Sequence, residues 1–157
     1  MSITAPVRAT GTLTSDATIP TAADTVTIGG QVYTFRATVG ATANEILLGT
    51  THTTAMDNLN SAINGSAGSG TTYGSATVAN DYVKGARSGA TLVVTAKVAG
   101  TVGNFIATTE AGTHTSWGAA TLASGTGSVN ATVDDLLLTS QCNSDVIKVL
   151  SQIKSAA

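Results

Sequence analysis

Two histidines, one cysteine and a scatter of carboxylates are what this chain offers for bond-making chemistry. His52 and His114 each stand among threonines, and neither lies at a ligand spacing from a second His, Cys, Asp or Glu. A hydrogen-bonded or solvent-facing histidine is the reading for both, ahead of a catalytic or metal-binding one. Cys142 alone can form neither an internal disulfide nor a multi-cysteine metal site. It sits where an apolar stripe breaks, which suits a small buried or interfacial residue better than a nucleophile. Asp134 and Asp135 are adjacent, and neighbours on a helix point in different directions, so they are not an acid/base pair. Serine is abundant, but no G-x-S-x-G elbow holds one. The run Gly65–Gly70 follows a helical pattern rather than a strand and ends without a lysine, so it reads as a loop and not a phosphate cradle. Asn64-Gly65-Ser66 and Asn130-Ala131-Thr132 match the glycosylation pattern, as chance allows in a Ser/Thr-rich chain. Trp117, Tyr73 and Tyr82 could stack on a sugar, although a lone Trp in a β domain more often supplies buried area. The side chains therefore point away from an enzyme and call for no cofactor, metal or small-molecule substrate.

The elements that must position these residues are clearer. Asp24–Arg36 (DTVTIGGQVYTFR) predicts a β-hairpin, because a two-residue Gly29-Gly30 loop needs positive φ, which glycine adopts without strain. That loop fixes the register: Ile28 opposite Gln31, Val26 opposite Tyr33, Asp24 opposite Phe35. Side chains alternate with period two, so Val26, Ile28, Tyr33 and Phe35 share an apolar face. Thr25, Thr27, Thr34 and Arg36 take the other face, with Val32 its apolar exception. Ahead of the hairpin, Ala9–Thr14 reads as a strand and residues 1–8 as an extended arm, either frayed or ordered on a neighbour. Glu45–Leu48 reads as a short strand. Ala55, Met56, Leu59, Ala62 and Ile63 recur at three and four, so a helix is expected over about 53–64. Thr51 or Thr53 is its N-cap and Asn64-Gly65 its stop, and it is expected to pack on the apolar face of the hairpin. A flexible loop (65–74) leads to a second hairpin, Tyr82–Ala86 and Thr91–Lys97 about an Arg87–Ala90 turn. Phe105–Thr109 and Ala119–Ala123 are weaker strands, and Gly125–Gly127 begins a linker.

Composition shifts at Ala131. Thr132 caps a helical run, with Asp134 and Asp135 placed favourably for the helix dipole. That run carries Leu136 and Leu137 and is interrupted by QCNSD; Ser144 can cap a second one, Asp145–Lys154, in which Val146, Ile147, Leu150 and Ile153 form a stripe. A helix this short is marginal alone in water, so it must dock, either on its own domain or as a seam between copies. These six residues are the expected assembly interface. The fold class expected is α+β: an antiparallel sheet in one or two layers over residues 9–127, one packed helix, and a helical tail within 128–157.

Charged residues are only 10% of the 157, against about 25% in typical chains, while hydrophobic residues are 42% and aromatic ones 4%. So few charges suit a surface that other subunits cover. With seven Lys and Arg against nine Asp and Glu, spread along the chain, nucleic-acid binding is not expected. No run approaches the roughly 18 apolar residues of a membrane span, and no secretion signal opens the chain, so synthesis in a cytoplasm is expected.

Taken in order, DTVTIGGQVYTFR, NEILLG, NLNSAINGSAG, LVVTAKVAGTVGN and WGAATLASG resemble a Gly/Thr/Ala-rich β domain of tailed-bacteriophage and prophage virion structural proteins. The resemblance spans about residues 9 to 127 and leaves out the tail. It implies a non-enzymatic role in the virion: head-surface decoration, neck, or tail or fibre component. With the sparse charge, the partners expected are copies of the chain itself, a trimer foremost, and other virion proteins. The rival reading is an adhesin module that binds a host-surface glycan through Trp117, Tyr73 or Tyr82.

Overall fold

The structure, a computed structural model, describes residues 5–127. Its elements are β1 (Arg8–Ser15), β2 (Thr25–Ile28), β3 (Gln31–Arg36), β4 (Glu45–Leu47), α1 (His52–Asn64), β5 (Val83–Ser88), β6 (Thr91–Ala99), β7 (Thr108–Ala111) and β8 (Thr115–Trp117), with a 3-10 turn at Thr101–Phe105. The strands form two four-stranded sheets, ordered β5-β6-β1-β8 and β4-β3-β2-β7. The class is α+β. Among the described residues the inner faces of both sheets and one face of α1 contribute to a single apolar core.

The first hairpin folds in the register that its loop dictates: Ile28 pairs with Gln31 and Val26 with Tyr33. Gly29 and Gly30 both take positive φ, 60° and 86°, as a turn matched to right-twisted strands requires. Val26, Ile28, Tyr33 and Phe35 are fully buried, whereas Val32 faces out. The second hairpin turns more tightly than expected. Its strands run on to Ser88 and from Thr91, so Gly89 and Ala90 alone form the loop.

Three neighbourhoods differ from the expectation. β4 joins the hairpin sheet beside β3 in parallel, with Phe35 opposite Ile46, so that sheet is mixed. A parallel neighbour needs a crossover rather than a tight turn, and residues 37–44 supply it. Helix α1 begins at His52, where the Thr51 hydroxyl accepts the Thr54 N–H, and ends at Gly65 in the left-handed region with φ 62°. It runs closest to β5, with β4 and β6 next, rather than over the first hairpin. Its buried residues Ala55, Met56, Leu59, Ala62 and Ile63 nevertheless share the core with that hairpin. The Phe105–Thr109 strand resolves into the end of the 3-10 turn followed by β7, and Thr115–Trp117 is a strand that the sequence reading missed.

The chain ends of this unit are pinned. Val7 pairs with Thr126, and Arg8 is already the first residue of β1, so residues 7 and 8 belong to the sheet rather than to an arm. Asn104 holds Gly125 from both sides, accepting its N–H at 2.8 Å and donating to its carbonyl at 3.0 Å. Residues 65–74 are also fixed, by bonds from Thr71 and Thr72 to the Gly68 carbonyl and from the buried Tyr73 hydroxyl to the Ser66 carbonyl. The expected interface residues Leu136, Leu137, Val146, Ile147, Leu150 and Ile153 lie outside the described residues, as do Cys142, Asp134 and Asp135.

Candidate functional site

The inward-facing stripe of β6 outruns the core that covers it. Leu92, Val94 and Ala96 alternate along one face and are buried, but Val98, next in the stripe, is 54% exposed. β6 then passes through Gly100 into the 3-10 turn, which leaves Val102 at 55% and Phe105 at 83% exposure. The turn lies tight on the sheet. A Cβ at Gly103 would come within 2.9 Å of the side chains of Ala9 and Ala96, so only glycine permits this approach. From the other side Tyr82 leans over the first hairpin's loop, where a Cβ on Gly29 would meet its ring at 2.7 Å. Between these residues opens an apolar groove of about 380 Å³, closed by Ile106 and Ala107, with Asp81 at its lip. Scattered exposed apolar residues are ordinary; a contiguous group around a concavity marks a place where something binds.

On the opposite, outer face of the same sheet a second concavity of about 430 Å³ is lined by Arg8, Lys84, Thr95 and Lys97 and shares only Ala96 with the groove. β1, β6 and β5 are neighbours, and their register brings these three cations to one end of the sheet. Arg8 donates to the Ala96 carbonyl and Lys97 to the Asn80 carbonyl. Elsewhere Arg36 pairs with Glu45 and Arg87 with Asp57. Among the described residues Arg8, Lys84 and Lys97 have no carboxylate partner.

The sequence-derived candidates fall elsewhere and apart from one another. His52 opens α1, half-buried, with Nδ1 out of reach of any partner among the described residues. His114 holds Asp16 through Nδ1 at 3.0 Å. That bond, with the Thr18 N–H donating to the same carboxylate, draws Asp16 below the usual carboxylate range. No group of three His, Cys, Asp or Glu residues gathers among the described residues. Of the aromatic residues Tyr73 is buried and Tyr82 edges the apolar groove. Trp117 packs on the core, donates its ring N–H to the Thr109 carbonyl at 3.1 Å, and borders a separate depression of about 340 Å³ with Glu110. The three do not form a common stacking platform.

Next in the chain to Asp81 of the groove sits Asn80, fully buried. Its amide oxygen accepts the Tyr82 and Val83 N–H groups, and its nitrogen donates to the Ile28 carbonyl. One side chain thus ties the first hairpin to the start of β5. Tyr33 adjoins it at 3.4 Å, and burial pushes the Tyr33 hydroxyl up to about 12. No helix among the described residues is long and apolar enough to cross a membrane. No known protein family, curated protein or solved structure matches the chain.

Proposed function

We propose that the chain is a non-enzymatic structural protein of a tailed-bacteriophage virion, acting through association with copies of itself and with other virion proteins. The observation that supports the association is the apolar groove around Val98, Val102, Phe105 and Tyr82. The sparse charge of the chain points the same way. The virion setting rests on the resemblance of residues 9–127, and places the work of the protein in the particle after synthesis in the host cytoplasm. The direct test is incorporation: particles assembled with a tagged copy carry it in stoichiometric amount, and particles that assemble normally without it and never contain it contradict the proposal.

A second reading, glycan recognition by an adhesin module, has one observation in its favour: Trp117 and Glu110 border the same depression. An apolar ring beside a carboxylate can stack on and hydrogen-bond a sugar. A glycan array with purified protein separates the two readings, since specific binding lost in Trp117→Ala would favour the adhesin.

A further inference from the structure

Of the five Lys and Arg in residues 5–127, three stand together. Arg36 and Arg87 are paired with Glu45 and Asp57, whereas Arg8, Lys84 and Lys97 line the concavity of about 430 Å³ on the outer face of their sheet. The register accounts for the gathering. Lys84 of β5 lies opposite Thr95 of β6, and Lys97 is the next outward position along β6. On the far side of β6, Arg8 pairs with Ala99 and Thr10 with Thr95, so the three residues Ala96–Val98 bulge opposite the single Ala9. A bulge bends its strand and re-aims side chains, and bulges are over-represented next to active sites. Here Arg8 reaches back across the bulge to donate to the Ala96 carbonyl at 3.0 Å, which brings its guanidinium into the concavity. Lys97 is held too, its ammonium donating to the Asn80 carbonyl. Like charges gathered in this way repel one another unless something offsets them. β1, β5 and β6 contain no Asp or Glu. Asp81, which follows Asn80, lies at the lip of the apolar groove and forms no ion pair among the described residues.

We infer that this concavity is an anion site whose ligand is a tetrahedral oxyanion, a phosphate taken either free or as a terminal ester. One guanidinium and two ammonium groups come to it from three strands, and Thr95 adds a hydroxyl. A carboxylate presents two oxygens in one plane, which a single arginine fork satisfies. Donors that converge from several strands suit the three or more oxygens of a phosphate. Arg8 and Lys97 each keep donors beyond the backbone bond they make, since a guanidinium carries five and an ammonium three. Those two side chains are already fixed by carbonyls, so binding orders little that was free. The site is open to water, and its affinity therefore falls with salt. The inference goes beyond the assembly reading and stands apart from it, because the concavity and the apolar groove occupy opposite faces of the sheet and share only Ala96.

The test follows the backbone amide signals of the full-length protein by NMR as inorganic phosphate is added at constant ionic strength, with sodium chloride making up the balance. Saturable shifts centred on Lys84, Thr95 and Lys97 are expected, and chloride alone gives none. Lys84→Gln is the cleanest variant, because the Lys84 side chain makes no hydrogen bond or ion pair among the described residues; circular dichroism checks its fold. It is expected to weaken phosphate binding at least about tenfold. Arg36→Gln, which removes a cation from the other sheet, leaves binding unchanged. Glycerol 3-phosphate is the second probe: binding as tight as that of inorganic phosphate assigns the site to a phosphate ester, rejection assigns it to the free ion, and both uphold the inference. Shifts that rise without saturating, that chloride reproduces, or that persist undiminished in Lys84→Gln overturn it. A loss as large in Arg36→Gln makes the effect one of net charge and overturns it as well. None of these outcomes bears on the assembly reading, which is tested by incorporation into particles.

Discussion

Asn80 makes more of the site than any residue that lines it. Its amide is spent on Ile28, Tyr82 and Val83, with no exposure to water. Replacement by alanine strands two N–H donors and a carbonyl, and each buried orphan costs about 1–3 kcal/mol. Asn80→Ala is therefore expected to cost about 3 kcal/mol in denaturant unfolding and to loosen Tyr82 over the groove. Tyr33 makes a pH prediction. Its hydroxyl pKa is raised from 10.0 to about 12 by burial, so the folded chain keeps a proton that the unfolded chain gives up. The stabilising contribution is whole below pH 10 and is lost as pH rises from 10 toward 12. Unfolding midpoints measured across that window fall, and Tyr33→Phe removes this part of the fall. Asp16 behaves in the opposite sense. Its pKa is lowered, first by the bond to His114, so its contribution is present above the ordinary value of 3.8 and fades as pH falls through the lowered one. In a carboxyl-detected NMR titration, His114→Ala moves the Asp16 midpoint back up; an unmoved midpoint denies the pairing.

At the scale of elements, local chemistry was legible wherever it decided the structure. Gly29-Gly30 fixes a hairpin and its register whatever surrounds it, and the Thr51 cap and Gly65 stop bound α1 to within a residue of the expected span. Thr51→Ala is expected to cost about 1 kcal/mol by removing an N-terminal acceptor. Leu59→Ala, inside the core, costs about 3 kcal/mol through lost burial and a residual cavity. What the sequence concealed depends on partners distant along the chain. Glu45–Leu47 looks the same in a parallel or an antiparallel sheet, because alternation reports faces and not neighbours. Thr115–Trp117 is too short to show any period. The groove left a faint signal. Leu92, Val94, Ala96 and Val98 keep one alternating face beyond the Lys97 at which the strand was expected to end, and Val102 and Phe105 stand out in a Gly-rich turn. Their exposure was not legible, since an uncovered apolar residue and a buried one are written with the same letter. The interface expected from sequence, Leu136 through Ile153, lies in residues the structure does not describe.

For the molecule as a whole, sparse charge along the chain and, among the described residues, an open apolar groove support the proposed role in an assembly that covers this surface. A freely diffusing monomer usually keeps more surface charge for solubility. The most direct measurement is the mass of the full-length protein in solution, by light scattering over a range of concentrations at low and high salt. The account predicts a mass above that of one chain at low and high salt alike, since the groove is apolar, a fixed multiple if the contacts close and a growing one if they do not. One chain's mass at every concentration and salt would contradict it.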